Sequence, residues 1–244
     1  MRSILSHLCI LTALAGSALA QSSFETDVMS TAAGDVKITF VGHGTLLFDF
    51  AGKVIHVDPW SKQADYTKLP KADAILVTHE HFDHLDPVAI QAVRTSNTVV
   101  LLTAACTEKF TGGLVMRNGD VQTVAGVKIE AVPAYNLIHK RDDGTPFHPK
   151  GVGNGYILTF GGKRLYVAGD TENTPEMKAL QKIDVAFLPM NLPYTMTPEM
   201  VADAAKAFQP KILYPYHYGE TDPQKLLELM KGTPGVEVRV RKMK

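Results

Sequence analysis

The sequence predicts a layered α/β fold. Short runs rich in Val, Ile and Leu recur along the chain as strands, and helix-start signals of the Asp-Pro and Thr-Pro-Glu type stand between several of them. Neither a short repeat nor a low-complexity tract breaks the alternation. Val36 to Val41 alternates as a strand, Gly42-His43-Gly44 turns the chain, and Thr45 to Phe50 forms a second strand. Ala51-Gly52-Lys53 makes a hairpin turn into a strand from Val54 to Val57. Apolar strands follow at Ala74 to Val77 and Thr98 to Leu102. Between them lies a helix from Pro87 to Arg94, with Asp86 as N-cap and Pro87 in its first turn.

The second half repeats this logic. Val127 to Val132 is a strand, and Tyr156 to Phe160 with Arg164 to Ala168 is a hairpin across Gly161-Gly162. Thr174-Pro175-Glu176 opens a short helix, Asp184 to Leu188 is a strand, and Thr197-Pro198-Glu199 opens a helix reaching Phe208. Lys211 to Tyr214, a helix from Asp222-Pro223 and a strand from Val236 to Val240 complete the chain. The polar, Gly- and Pro-rich segment from Tyr135 to Asn154 is a long loop of the kind that carries function.

Arg2, the apolar stretch from Ile4 to Leu14 and Ala18-Leu19-Ala20 before Gln21 read as a secretory signal peptide over residues 1–20. Removing 20 of 244 residues leaves 224, the length of one well-cored domain over 21–244. The expected location is a periplasm or outside the cell. Net charge is zero with no basic patch or tail, so electrostatics point to no nucleic-acid partner. No further segment is long and apolar enough to anchor in a membrane. Cys9 leaves with the signal, and Cys106 reads as a packed thiol in a short helix, with no intrachain partner.

The chemistry is concentrated in Thr78-His79-Glu80-His81-Phe82-Asp83-His84, an H-x-H-x-D-H run between a buried strand and a helix start. Imidazole and carboxylate together ligate zinc, manganese or iron, and a strand-to-helix loop on a rigid scaffold can hold several ligands at once. Asp170 and His217 stand at the ends of two later strands, where ligands of layered α/β proteins gather. Asp58 also ends a strand, where it either turns the chain before Pro59 or orients a ligand histidine.

Taken in order, these pieces resemble the metallo-β-lactamase superfamily of metal-dependent hydrolases, and its lactonase-like branch related to ascorbate-phosphate lactonases. The matching segments are Phe40 to Thr45, Val57-Asp58-Pro59, Thr78 to His84, Val132 to Asn136, Phe147 to Gly151, Ala168 to Thr171 and Pro215 to Gly219. The resemblance implies a four-layer αββα sandwich over 21–244. It implies two divalent ions, zinc first and manganese or iron next. His79 and His81 would hold one ion, Asp83, His84 and His217 the other, and Asp170 would bridge them.

The sequence departs from the family pattern at Asn136, where many members carry a histidine. His148, His139 or Asn136 would complete the first position. His148 is preferred because it lies in a matching segment, whereas Lys140 and Arg141 flank His139. His43 and the phenols Tyr135, Tyr194 and Tyr218 adjoin the cleft segments, and His56 faces a polar surrounding within its strand. The expected function is an exported hydrolase. A hydroxide between the ions would attack a small-molecule lactone or ester, with Asp83 or Asp170 handling the proton. A phosphodiester substrate, or a non-catalytic metal- or anion-binding module, are the alternatives. The sequence does not give the oligomeric state.

Overall fold

The computed structural model describes residues 24–244; the expected signal peptide lies outside them. Among the described residues, fourteen strands form two seven-stranded sheets. The first runs in chain order: β1 (Glu25–Thr31), β2 (Gly34–Gly42), β3 (Thr45–Phe50), β4 (Lys53–Val57), β5 (Ala74–Leu76), β6 (Val99–Leu102) and β7 (Leu114–Val115). The second contains β8 (Val121–Val124), β9 (Val127–Ala134), β10 (Gly153–Phe160), β11 (Lys163–Val167), β12 (Val185–Pro189), β13 (Ile212–Tyr216) and β14 (Glu237–Val238). The halves mirror each other. In each sheet the first four strands pair antiparallel, and the pairings from the fourth strand onward are parallel.

Alternation along the strands explains the layers. On β5, Ala74 and Leu76 join the cluster between the sheets, while Ile75 points outward to join Ala89, Ile90 and Val93 of α1 (Pro87–Val93). Phe48 packs at the centre against Phe160 and Phe187, with ring centroids 5.6 and 6.0 Å away. On the far face of the second sheet, Tyr166 meets Phe208 edge-on, at the end of α3 (Pro198–Phe208). The helices α2 (Pro175–Lys178) and α4 (Pro223–Met230) join α3 in that layer through Met177, Leu226 and Met230. The result is the expected αββα sandwich.

The capping signals act as predicted. Asp86, Thr174, Thr197 and Asp222 each accept a backbone N–H of the helix they open, with proline in the first turn. Two expectations change: strands β1, β7 and β8 add to those read from the sequence, and the last strand shrinks to Glu237–Val238. Cys106 is packed in a short helix as expected, of 3-10 type over Ala104–Glu108. The helix expected to about Arg94 ends at Val93, where Arg94 caps it in extended conformation.

Candidate metal centre

The ends of β4, β5, β11 and β13 open at one edge of the sandwich and deliver Asp58, the histidine motif, Asp170 and His217. The motif is a tight turn. The N–H groups of His84 and Leu85 both donate to the His81 carbonyl, at 3.0 and 2.7 Å, and Asp86 immediately caps α1. This turn aims His79, His81, Asp83 and His84 at the edge and leaves Phe82 exposed.

The candidate ligands fall into two clusters joined by one carboxylate. His79 Nε2 lies 3.0 Å from His81 Nδ1, and the His148 ring stands 5.1 and 4.9 Å from those two rings. His84 Nε2 and His217 Nε2 are 3.2 Å apart, and Asp83 Oδ2 is 3.8 and 3.7 Å from them. Asp170 stands between. Its Oδ1 is 3.5 Å from both His84 Nε2 and His217 Nε2, and its Oδ2 is 3.3 Å from His148 Nε2 and 3.9 Å from His79 Nε2. Within each group the ligand atoms lie within 4.8 Å of one another. Among the described residues, Asp170 Oδ1 and His148 Nε2 are buried without a hydrogen-bond partner. Orphaned lone pairs of these types on a shared centre fit a cation.

Protonation agrees with this reading. Burial pushes His79 well below the usual imidazole range, as do the neighbouring His84, His148 and His81, so it is neutral, the ligating form. His81 is lowered for the same reasons, burial and then His148. Burial alone would raise Asp170, but His217 and His84 outweigh it and hold the carboxyl well below its ordinary value. Asp83 is likewise held ionised against burial by His217 and His43. His84 is the exception. Burial opposes its charge, yet Asp170 and Asp58 raise it well above the ordinary value, so these carboxylates call for a cation at this point.

A second layer holds the ligands. Asp58 is fully buried, and its Oδ2 accepts from His84 Nδ1 at 2.8 Å and from Thr78 Oγ1 at 2.6 Å. Its Oδ1 accepts from the Thr78 N–H at 2.8 Å. Asp58 therefore orients a candidate ligand histidine as well as ending a strand. His43 packs its ring 3.7 Å from that of His217, with Nε2 3.0 Å from Asp83 Oδ2. His43, Asp58 and His217 all have left-handed backbone, at φ 54°, 45° and 47°, which side-chain-bearing residues seldom adopt outside constrained sites. Gly44 leaves room for the rings, since a Cβ there would stand 3.0 Å from His84 Cε1.

Of the three candidates for the first position, only His148 joins His79 and His81. His139 Nδ1 instead lies 2.8 Å from Glu172 Oε1, and Asn136 turns its Oδ1 toward His148. His43 and Asn136 lie within matching segments and Glu172 directly follows one, but no motif announced the roles that the structure gives them. Among the phenols, Tyr135 donates to Glu176 and Tyr218 to the Arg241 carbonyl, and only Tyr194 lines the cleft. His56 is fully buried, with Nε2 3.0 Å from the Pro70 carbonyl and Nδ1 unpartnered, so its surroundings are less polar than expected. A cleft of about 400 Å³ opens over the clusters, walled by Phe82, Phe147 and Tyr194 and lined also by Lys109, Arg141 and Asn191.

A family model described as a β-lactamase superfamily domain matches residues 37–217, from β2 to the last candidate ligand. The chain belongs to the metallo-β-lactamase superfamily. Within that superfamily it groups with the UPF0173 metal-dependent hydrolases. It is 32% identical over 225 residues to one from Pelotomaculum thermopropionicum, covering 84% of this chain and 96% of the relative. A crystal structure of a candidate metal-dependent hydrolase from Parabacteroides distasonis is 51% identical, with a TM-score of 0.86 over 91% of this chain and all of that one. Igni18, a metallo hydrolase from Ignicoccus hospitalis, is 28% identical with a TM-score of 0.70, over 85% of this chain and 95% of its own. The metallo-β-lactamase fold hosts unrelated activities, so the reaction must be argued from the site.

Proposed function

We propose that this chain is an exported binuclear hydrolase of a small-molecule lactone or ester. The observation that carries the reading is the placement of Asp170, which turns one oxygen to each cluster. His79, His81 and His148 would hold one divalent ion, and Asp83, His84 and His217 the other, with Asp170 shared. Ions so held, zinc first and manganese or iron next, supply Lewis acidity and lower the pKa of water to near neutrality. Asp83 orients and accepts the proton of the attacking water, and its Oδ2 is shared with His43. Phe82, Phe147 and Tyr194 narrow the cleft around the substrate, and the exposed phenol of Tyr194 is placed to donate to a developing oxyanion.

Lys109 and Arg141 line the same cleft with no carboxylate within 4.0 Å among the described residues, which favours an acidic substituent on the substrate. The same pair supports a phosphodiester as the second reading, since cationic side chains suit phosphoryl oxygens as well as carboxylates. The lactone is kept first on the likeness of the matching sequence segments to the lactonase-like branch.

The test uses metal-loaded protein with γ-butyrolactone, its 5-carboxylate derivative and bis(4-nitrophenyl) phosphate. Turnover of a lactone should fall to background in His81→Ala and in Asp83→Ala, with both variants folded by circular dichroism. Turnover of the phosphodiester alone would replace the lactone reading. Turnover of none, or unchanged turnover in either variant, would overturn the hydrolase and leave a binding module.

A further inference from the structure

Glu172 stands two residues beyond Asp170 and faces neither cluster, yet its carboxylate is fully buried and fully engaged. Oε2 accepts the backbone N–H groups of Leu137 and Ile138, each at 2.7 Å. Oε1 accepts the N–H of His139 at 2.7 Å and Asn136 Nδ2 at 3.1 Å. The first turn of the long loop between β9 and β10 is thus wrapped around this one side chain.

An ionised carboxylate can only accept hydrogen bonds, so Asn136 must present its NH₂ to it. The same NH₂ also donates to the Tyr194 carbonyl at 2.9 Å, a second pure acceptor. With its amide so fixed, Asn136 turns Oδ1 to His148 and accepts both the backbone N–H, at 2.9 Å, and ring Nδ1, at 2.6 Å. The His148 proton then sits on Nδ1. Nε2 is left bare, buried and unpartnered, 3.3 Å from Asp170 Oδ2.

We propose that Glu172 is a positioning residue that fixes the tautomer and orientation of His148 through Asn136, and so sets the cation affinity of the His79–His81–His148 position. This rests on the reading of His148 as a metal ligand. Partners of ligand histidines typically change metal affinity ten- to a hundredfold when removed.

The test titrates cobalt(II), as the probe ion, into metal-free full chain and follows the ligand-field absorption in wild type, His148→Ala, Glu172→Gln and Asn136→Ala. Wild type should bind in two steps and His148→Ala should lose one. Glu172→Gln should weaken that same step roughly tenfold to a hundredfold and leave the other unchanged. Adding Glu172→Gln to Asn136→Ala should cost nothing more, because the two act in one chain. Histidine ¹⁵N spectra of metal-free protein should show His148 protonated at Nδ1 in wild type and mixed in Glu172→Gln. Both steps intact in Glu172→Gln, or both weakened alike as simple loss of charge would do, overturns the proposal. If Glu172→Gln does not fold, Asn136→Ala must show the selective loss alone, and its absence is equally decisive. Identical cobalt binding by wild type and His148→Ala would instead remove the ligand reading, and this proposal with it.

Discussion

Replacing Asp58 by asparagine alters one atom in a fully buried site, and the expected damage is large. The carboxylate accepts three hydrogen bonds: Thr78 N–H on Oδ1, and Thr78 Oγ1 with His84 Nδ1 on Oδ2. An amide has only one accepting end. If its NH₂ replaces Oδ1 it meets the Thr78 N–H head on, leaving buried donors unpaired at a cost of about 1–3 kcal/mol. If it replaces Oδ2 it faces His84 Nδ1, which must then become the acceptor. The His84 proton moves to Nε2, the atom that faces Asp170 and His217. Either arrangement forfeits a charge-assisted hydrogen bond worth about 1.5–3 kcal/mol, so metal affinity in Asp58→Asn should fall roughly ten- to a hundredfold. Competition with a fluorescent chelator measures that loss, and thermal unfolding in excess chelator controls for the fold. An Asp58→Asn protein that holds its metal as wild type does would refute the tautomer argument.

Three further outcomes follow from packing and charge. In Gly44→Ala the new Cβ would stand 3.0 Å from His84 Cε1 and 3.4 Å from His217 Cδ2. The His84 ring must retreat by about half an ångström to reach ordinary carbon contact, so metal affinity should drop about tenfold with little change in Tm. Phe48→Ala opens a cavity between the sheets beside Phe160 and Phe187, and should cost about 3–5 kcal/mol in urea unfolding, far more than Val28→Ala at an exposed position. Burial lowers His56 from its ordinary 6.5 to about 4. Above pH 6.5 the group is neutral in both states. As pH falls from 6.5 toward 4 only the unfolded chain takes the proton, and up to about 3 kcal/mol of stability is lost. His56→Leu should remove that part of the acid slope, and parallel unfolding curves for the two proteins would contradict it.

Much of this architecture is legible in the sequence because its strands are buried on both faces and its helices are explicitly capped. Ala74 to Val77 and Val185 to Leu188 are apolar runs, and Thr197-Pro198-Glu199 states where a helix starts. What escaped is at the edges. The β1 sequence alternates half-buried with exposed residues and carries little apolar signal, and β7 has only two residues. The histidine motif, Asp170 and His217 announce themselves by residue type at strand ends. The choice among His148, His139 and Asn136 could not be made from spacing, because the long loop folds back on a buried glutamate that no local pattern predicts. Glu172 reads as an acidic residue in a polar stretch, and only the tertiary structure shows three consecutive N–H groups converging on it.

Each cluster draws its candidate ligands from both halves of the chain: His79 and His81 with His148, and Asp83 and His84 with His217. An ion held at either place would therefore act as a staple between the two sheets, and half-proteins cut at the loop between β7 and β8 would each carry an incomplete site. At free metal a hundredfold above its dissociation constant, each staple adds about 2.7 kcal/mol against separation of the sheets. Two fragments, residues 24–118 and 119–244, should accordingly associate more tightly with metal than with chelator, which makes reassembly of the split chain a direct gauge of how firmly the centre clasps the fold.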